Sequence, residues 1–289
     1  MTLVAMVVVF VATRSSRMPP VVPWTGTQVS VAAWNIDPKH VGGRLDTLVP
    51  AIQLINADVL LLVEFTPDRD LPKLLAALRA AGNPYDGNII ERRGKQNLVY
   101  LVRPGIKITN QRAYKPIMLG NDDLRPAMIA TVQAGEFDFN VVGVHLKSKR
   151  KGNPEQQTEK IREDQIRLLV PELRRLQAGK EKDLLLIGDF NMLRDENQDQ
   201  FAMLAAANLE LLHFWVPAST FSYVPTGGQG GILDGYAISK SSREELVANS
   251  FQVVQLPNLI GIPNALYREK YSDHLPLKAI FRTDVDNDP

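Results

Sequence analysis

Two uninterrupted apolar runs, each ending in a carboxylate, constrain the fold of this chain more than any other feature. ADVLLLVEF (57–65) carries Glu64 near its end, and DLLLIGDF (183–190) carries Asp189. Such a run is typical of a strand that is buried on both faces and is therefore covered by further layers. A carboxylate in such a place is costly unless a cation or hydrogen bonds compensate for it. The two runs therefore predict a layered fold with a polar site at the strand ends.

Helices and strands alternate early in the chain, whereas strands predominate later. Alternating or apolar patterns predict further strands at 28–36, 97–103, 127–133, 139–146, 232–239, 251–256 and 276–282. Apolar residues at helical spacing predict helices at 45–56, 71–81, 158–177 and 195–208. This order favours an α/β fold of two packed sheets with helices outside over a single open sheet. We expect one domain at 27–284 and a short acidic tail at 285–289.

Residues 1–26 combine an apolar run, Thr2 to Ala12, with a proline-rich linker. The run is shorter than the about 20 residues that span a bilayer. Its length suits a signal peptide, but the basic residues that normally precede the apolar region are missing. A signal, an anchor remnant and a buried N-terminal strand all remain open. We expect a secreted, periplasmic or membrane-associated protein, and any membrane proximity would come through this segment.

Composition narrows the chemistry of the site. The chain has no cysteine, which excludes disulfides, thiolate metal sites and cysteine nucleophiles. Its net charge is +1, so a polyanion would have to be bound by a local patch and not by a global basic field. Candidates for such a patch are Arg92, Arg93 and Lys95, and the run Lys147–Lys151. We expect a monomer, although no motif bears on the oligomeric state.

Two motifs follow the ends of predicted strands. In Gly188-Asp189-Phe190-Asn191, the glycine allows a tight turn, and an acid and an amide then project two residues apart. Asp189 suits proton transfer from water, and Asn191 suits the binding of a phosphoryl oxygen or a metal. His145, in HLKS, ends the strand at 139–146 and precedes the basic run, which next to a metal site would attract phosphate.

Two further motifs lie towards the C-terminus. Asp273 and His274 are adjacent in YSDH, and neighbouring side chains of an extended segment project to different sides. One of them could therefore contact a metal while the other contacts substrate. Histidine titrates near neutral pH and suits general acid–base catalysis. Asp234, which follows the glycine-rich stretch 227–231, is a candidate to orient a histidine.

In chain order, the motifs are WN, a glutamate at a strand end, RP, HLKS, GDFN, LD and SDH. Together they resemble the endonuclease/exonuclease/phosphatase superfamily, and the resemblance runs from about residue 30 to about residue 282. The resemblance implies a four-layered α/β sandwich of two packed mixed β-sheets flanked by helices. It places the active site at one edge of the two sheets.

The resemblance also implies a role for each motif residue. Metal ligands for Mg²⁺ or Mn²⁺ would be Asn35, Glu64 and Asp273. The catalytic residues would be His145, Asp189, Asn191, Asp234 and His274, with Asp234 orienting His274. The scissile phosphate would be bound by Arg125, Asn191 and His145.

The expected activity is metal-dependent hydrolysis of phosphodiester bonds, with DNA or RNA as the favoured substrate. HLKS stands where relatives similar to exonuclease III and the abasic-site endonucleases carry a YxPN-type motif. The chain therefore looks more like deoxyribonuclease I, the secreted bacterial nucleases, the sphingomyelinases or the phosphoinositide phosphatases. A phospholipid, inositol phosphate or other small phosphoester is the alternative, and the loop 257–263 is a candidate lipid contact. A non-catalytic binding domain is disfavoured because every expected site position is filled.

Overall fold

The computed structural model describes residues 24–90, 96–149, 155–227 and 230–287. The predictions for the N-terminal apolar run and for Arg92, Arg93 and Lys95 lie outside these residues, as does the end of the Lys147–Lys151 run. Within the described part of the chain, no helix combines the length and the hydropathy needed to cross a bilayer.

Two mixed six-stranded sheets form the centre of the molecule. In spatial order, the first consists of Gln252–Val253 (β11), Leu277–Arg282 (β12), Gln28–Asn35 (β1), Val59–Phe65 (β2), Asn97–Val102 (β4) and Asp86–Asn88 (β3). The second consists of Lys107–Tyr114 (β5), Ala127–Ala134 (β6), Phe137–His145 (β7), Leu184–Asp189 (β8), Asp234–Ser239 (β10) and Leu209–Leu211 (β9). Each sheet contains one parallel pair, β1–β2 and β7–β8, and the other neighbours are antiparallel.

The sheets face each other across an apolar layer. Phe137 and Phe139 of β7 stack on each other at 4.9 Å between ring centroids, and Phe137 stacks on Phe281 of β12 at 5.7 Å. The largest helices are Leu45–Ile55 (α1), Leu71–Ala80 (α2), Glu155–Gln177 (α3) and Gln198–Ala205 (α4), followed by the short Leu256–Ile260 (α5) and Asn264–Lys270 (α6).

Helices cover the outer faces of both sheets. Leu48 of α1 and Leu74 of α2 belong to the apolar cluster of the first sheet. Ile166 of α3 and Phe201 of α4 belong to a second cluster, built on the outer face of the second sheet. The order of layers is therefore helix, sheet, sheet, helix, and the predicted four-layered α/β sandwich is confirmed.

Some predicted elements were wrong or missing. The strand predicted at 251–256 is only Gln252–Val253, because Pro257 stands in the first turn of α5, where proline is favoured. The loop predicted at 257–263 is for the same reason partly helical. Strand β5 was not predicted, because KITNQRAY is a largely exposed edge strand without apolar alternation.

Gly143 of β7 lies at a close contact between the two sheets. A Cβ atom at this position would lie 2.7 Å from Tyr100 Oη and 2.9 Å from a methyl group of Leu61. Both residues belong to the first sheet, and Tyr100 Oη donates a hydrogen bond to the Met128 carbonyl of the second sheet, at 2.9 Å. The absence of a side chain at Gly143 thus lets the sheets pack at their observed separation.

We expect Gly143→Ala to lower the free energy of unfolding by about 1–3 kcal/mol, because the added methyl overpacks the interface. Urea unfolding followed by circular dichroism measures this. Gly43→Ala is the matched control, because a Cβ at Gly43 meets no atom within 4 Å. Equal urea midpoints for the two variants would contradict the assigned role of Gly143.

Candidate active site

The carboxyl ends of the two parallel strand pairs meet at one edge of the sandwich. In register, Asn35 of β1 lies beside Val63 of β2, and His145 of β7 lies beside Asp189 of β8. A cavity of about 520 Å³ opens at this edge. The predicted site residues that line it are Asn35, Glu64, His145, Asp189, Asn191, Asp273 and His274.

Glu64 reaches the cavity through an irregularity in β2. The pairing of β2 with β4 shifts register between Leu62 and Phe65, and Glu64 adopts a φ of +67°, which is uncommon for a residue with a side chain. Such a bulge turns a side chain away from strict alternation. Burial, followed by the charge of Asp189, raises the pKa of Glu64 to about 7.

Asp189 is held by hydrogen bonds to both of its carboxylate oxygens. Asn35 Nδ2 donates to Oδ2 at 3.0 Å, and the backbone N–H of Asn191 donates to Oδ1 at 2.9 Å. The preceding Gly188 has a φ of +130°, and a Cβ there would lie 2.2 Å from the Val144 carbonyl oxygen. Only glycine therefore permits this approach of β8 to β7. Burial raises the pKa of Asp189, and the charge of Asp234 adds to that rise.

His145 lies between the two carboxylates. Its Nε2 is 3.4 Å from Glu64 Oε1 and 3.7 Å from Asp189 Oδ2, and the side chain is 9% exposed. Asn191 fixes Leu146, the residue that follows His145, because the Nδ2 of Asn191 donates to the Leu146 carbonyl at 3.1 Å. The HLKS and GDFN motifs are thus joined side by side, as their positions at the ends of adjacent parallel strands require.

Asp234 and His274 form a buried ion pair at the next strand of the second sheet. Asp234 is in register with Asp189 across β8 and β10, and its Oδ2 lies 2.8 Å from His274 Nδ1. The other ring nitrogen of His274, Nε2, can therefore interact with a ligand in the cavity. Burial alone would lower the pKa of His274, but the charges of Asp234 and Asp189 outweigh burial and raise it to about 10.

The loop that carries His274 is fixed by buried hydrogen bonds. Trp34 Nε1 and Tyr267 Oη both donate to the His274 carbonyl, at 3.0 Å and 2.8 Å. Ser272 Oγ accepts the His274 N–H at 2.9 Å and donates to the Asn35 carbonyl at 2.6 Å. The YSDH motif of the last part of the chain is thereby tied to β1, and the histidine has little freedom to move.

Two predicted residues make contacts that their predicted roles did not include. Asp273 is 25% exposed and forms an ion pair with Arg268, with 3.3 Å between Oδ2 and Nη2. Arg125 lines a smaller adjoining cavity, where its Nε donates to the Gln96 carbonyl at 3.0 Å and its Nη1 donates to the Asp123 carbonyl at 2.7 Å. The predicted contact of Arg125 with phosphate stays a prediction. The predicted role of Asn35 as a metal ligand also stays a prediction, and its amide oxygen accepts the N–H of Asp37.

The cavity wall also contains residues that the motifs did not indicate. Tyr223 lines the cavity, with its ring 5.4 Å from the ring of His274, and the Arg268 guanidinium lies 5.3 Å from the Tyr223 ring centroid. Arg162 of α3 also lines it, and its Nη1 donates to the Lys147 carbonyl at 3.1 Å. Tyr223 lies in a loop between strands, where neither periodicity nor a strand end could reveal it.

We expect Asp234→Asn to lower the pKa of His274 towards or below its ordinary value of about 6.5, because the ion pair is lost while burial remains. The measurement is a pH titration of the imidazole signals by NMR in metal-free protein. Asp284→Asn, at the far end of β12, is the control and should leave His274 unchanged. An unaltered His274 titration in Asp234→Asn would show that another charge sets its protonation.

Comparison with known proteins gives a family match and many similar folds. A model of the endonuclease/exonuclease/phosphatase family matches residues 31–234. The truncated TDP2 of Caenorhabditis elegans superposes with a TM-score of 0.64 at 19% identity, over 88% of this chain and 97% of that one. No curated protein sequence matches significantly.

Two prokaryotic structures are similar to the same extent. The 3′-5′ exonuclease NExo of Neisseria meningitidis gives a TM-score of 0.66 at 18% identity, over 88% of this chain and 99% of that chain. An AP endonuclease from Archaeoglobus fulgidus gives 0.66 at 14% identity, over the same shares. At these identities, the structural likeness concerns the fold alone.

Proposed function

The chain belongs to the endonuclease/exonuclease/phosphatase family, and on that basis we propose that it is a divalent-metal-dependent phosphodiesterase acting on nucleic acid. The observation that carries the proposal is the convergence of the buried carboxylate of Asp189, the half-buried carboxylate of Glu64 and two histidines on one cavity. These side chains come from both sheets. Their arrangement suits hydrolysis of a phosphoester, which needs a site for a cation, a group that orients water and donors for the charged phosphate.

The residues at the cavity fit Mg²⁺ or Mn²⁺. Glu64 and Asp273 supply carboxylate oxygens and Asn35 supplies an amide oxygen, the ligand types that these hard cations prefer. Burial raises the pKa values of Glu64 and Asp189, and a cation would relieve the cost of holding both charges. When bound, the metal ion would neutralise charge on the scissile phosphate.

We propose that Asp189 orients and deprotonates the attacking water, and that His274 contacts a phosphoryl oxygen. Hydrogen bonds from Asn35 and Asn191 favour the charged form of Asp189, in which the carboxylate can accept a proton from water. The ion pair with Asp234 favours the charged form of His274, whose Nε2 then acts as a hydrogen-bond donor towards the cavity. His145, between Glu64 and Asp189, would stabilise the charge on the leaving oxygen.

Two features favour nucleic acid over a lipid. The cavity wall contains the cations Lys149 and Arg162 and the aromatic ring of Tyr223, a combination that suits a phosphate backbone with an adjacent base. Part of the candidate lipid loop, residues 257–260, by contrast belongs to α5, which packs against α1, and no residue of the loop lines the cavity. A lipid or small phosphoester remains an outcome of the assay below.

We expect metal-dependent nicking of supercoiled plasmid or cleavage of RNA, and we expect EDTA to abolish it. The Glu64→Gln variant should cleave at a rate at least about 10²-fold lower than the wild type. The assay runs with Mg²⁺ or Mn²⁺ on plasmid, RNA, sphingomyelin and phosphoinositides. Glu136→Gln is the matched control, because this exposed residue lies on the β6–β7 turn, at the opposite end of β7 from His145.

Each outcome of this assay supports a different conclusion about the function. Turnover of a lipid or sugar phosphate without cleavage of nucleic acid would support the proposed active site but refute nucleic acid as its substrate. No turnover by a folded protein, together with undiminished nucleic-acid binding by Asp189→Asn, would favour a binding domain.

We expect Tyr223→Leu to weaken productive binding of single-stranded nucleic acid by roughly tenfold, because one stacked base contributes about 1–3 kcal/mol. Hydrolysis of bis(p-nitrophenyl) phosphate, which offers no base, serves as the reference substrate. Tyr223→Phe keeps the ring and should behave like the wild type. Equal losses on both substrates in Tyr223→Leu would instead indicate that the ring only supports His274.

A further inference from the structure

Three carboxylates gather at the end of β8 that is remote from the active site. Asp183 immediately precedes β8, Glu245 follows β10, and Asp286 follows β12. One carboxylate oxygen from each of the three residues lies within 4.8 Å of those of the other two. Asp183 immediately precedes the six-residue strand β8 and Asp189 ends it, which places the two residues about 20 Å apart in an extended chain. The cluster is therefore distinct from the cavity that contains Glu64 and His274.

Glu245 is buried without compensation from its neighbours. The residue is 0% exposed, and neither of its carboxylate oxygens accepts a hydrogen bond from another described residue. No lysine, arginine or histidine in the described ranges forms an ion pair with it. Buried acids normally have such partners, because an isolated carboxylate in a protein interior is costly. Burial, followed by the charge of Asp183, raises the pKa of Glu245 to about 7.

The backbone around the cluster is well fixed. The Asp183 carbonyl accepts the N–H of Asn140 at 2.8 Å, and the Glu245 carbonyl accepts the N–H of Arg282 at 2.7 Å. Asn287, next to Asp286, donates from Nδ2 to the Ser241 carbonyl at 2.8 Å. Three separate segments thus present their acids to one point, and hydrogen bonds outside the cluster hold these segments in place.

We propose that Asp183, Glu245 and Asp286 bind a second divalent cation, Ca²⁺, which fastens the C-terminal segment to the sandwich. Oxygen ligands lie about 2.3–2.6 Å from Ca²⁺, so two of them can be up to about 5 Å apart across one ion. The separations in the cluster satisfy this limit. Ca²⁺ suits the site better than Mg²⁺, because it accepts irregular geometry and carboxylates from loop positions.

The test is calcium titration by calorimetry together with thermal unfolding, in a Glu64→Gln background that weakens the active-site cation position. We expect this protein to bind Ca²⁺ and to gain about 4 °C or more in Tm at saturation. Adding Glu245→Gln should abolish both effects. Adding Asp284→Asn should preserve them, because Asp284 is exposed, pairs with Arg282 and lies outside the cluster.

Two results would overturn the proposal. One is calcium binding that Glu245→Gln leaves unchanged, and the other is no binding up to about 1 mM, the weak end of extracellular calcium sites. If Glu245→Gln fails to fold, Asp286→Asn replaces it, because Asp286 lies in the C-terminal segment after the last strand. Asp286→Asn should weaken calcium binding at least tenfold, and an unchanged affinity would again refute the site.

Discussion

The repulsion between the half-buried carboxylate of Glu64 and the buried carboxylate of Asp189 is the constraint around which the site is arranged. Each acid ends a strand of a parallel pair, and packing of the two sheets brings the strand ends together. Asn35 and the backbone of Asn191 compensate Asp189, and His145 lies between the two acids. The remaining excess of negative charge is the physical reason why this edge of the sandwich suits a cation and, with it, an anionic substrate.

The strand ends were predictable, whereas the walls of the cavity were not. Long apolar runs predicted β2 and β8, but a single acid at the end of such a run could equally be a helix cap, a salt-bridge partner or an exposed strand end. The roles given to these residues came from the order of the motifs, not from the pattern of any single one. Tyr223 has no comparable signal, because its place beside His274 depends on how a loop of the second half folds back over the site.

The same limit applies to Arg125 and to the acids at the other end of β8. A short motif gives the identity of a side chain but not its direction, and the Arg125 guanidinium binds the carbonyls of Gln96 and Asp123. Asp183 and Glu245 are 62 residues apart in the chain and share no motif. Only the antiparallel pairing of β8 with β10 and the return of the chain after β12 bring such groups together.

The bulge at Glu64 makes this segment intolerant of changes in length. In a regular strand, every second side chain faces the same layer, and loss or gain of one residue exchanges the two faces. Between Leu62 and Phe65, the pairing of β2 with β4 is already irregular, and this irregularity turns the side chain of Glu64 out of an apolar layer. A single insertion in β2 would therefore turn leucines towards the cavity and the acid towards the core.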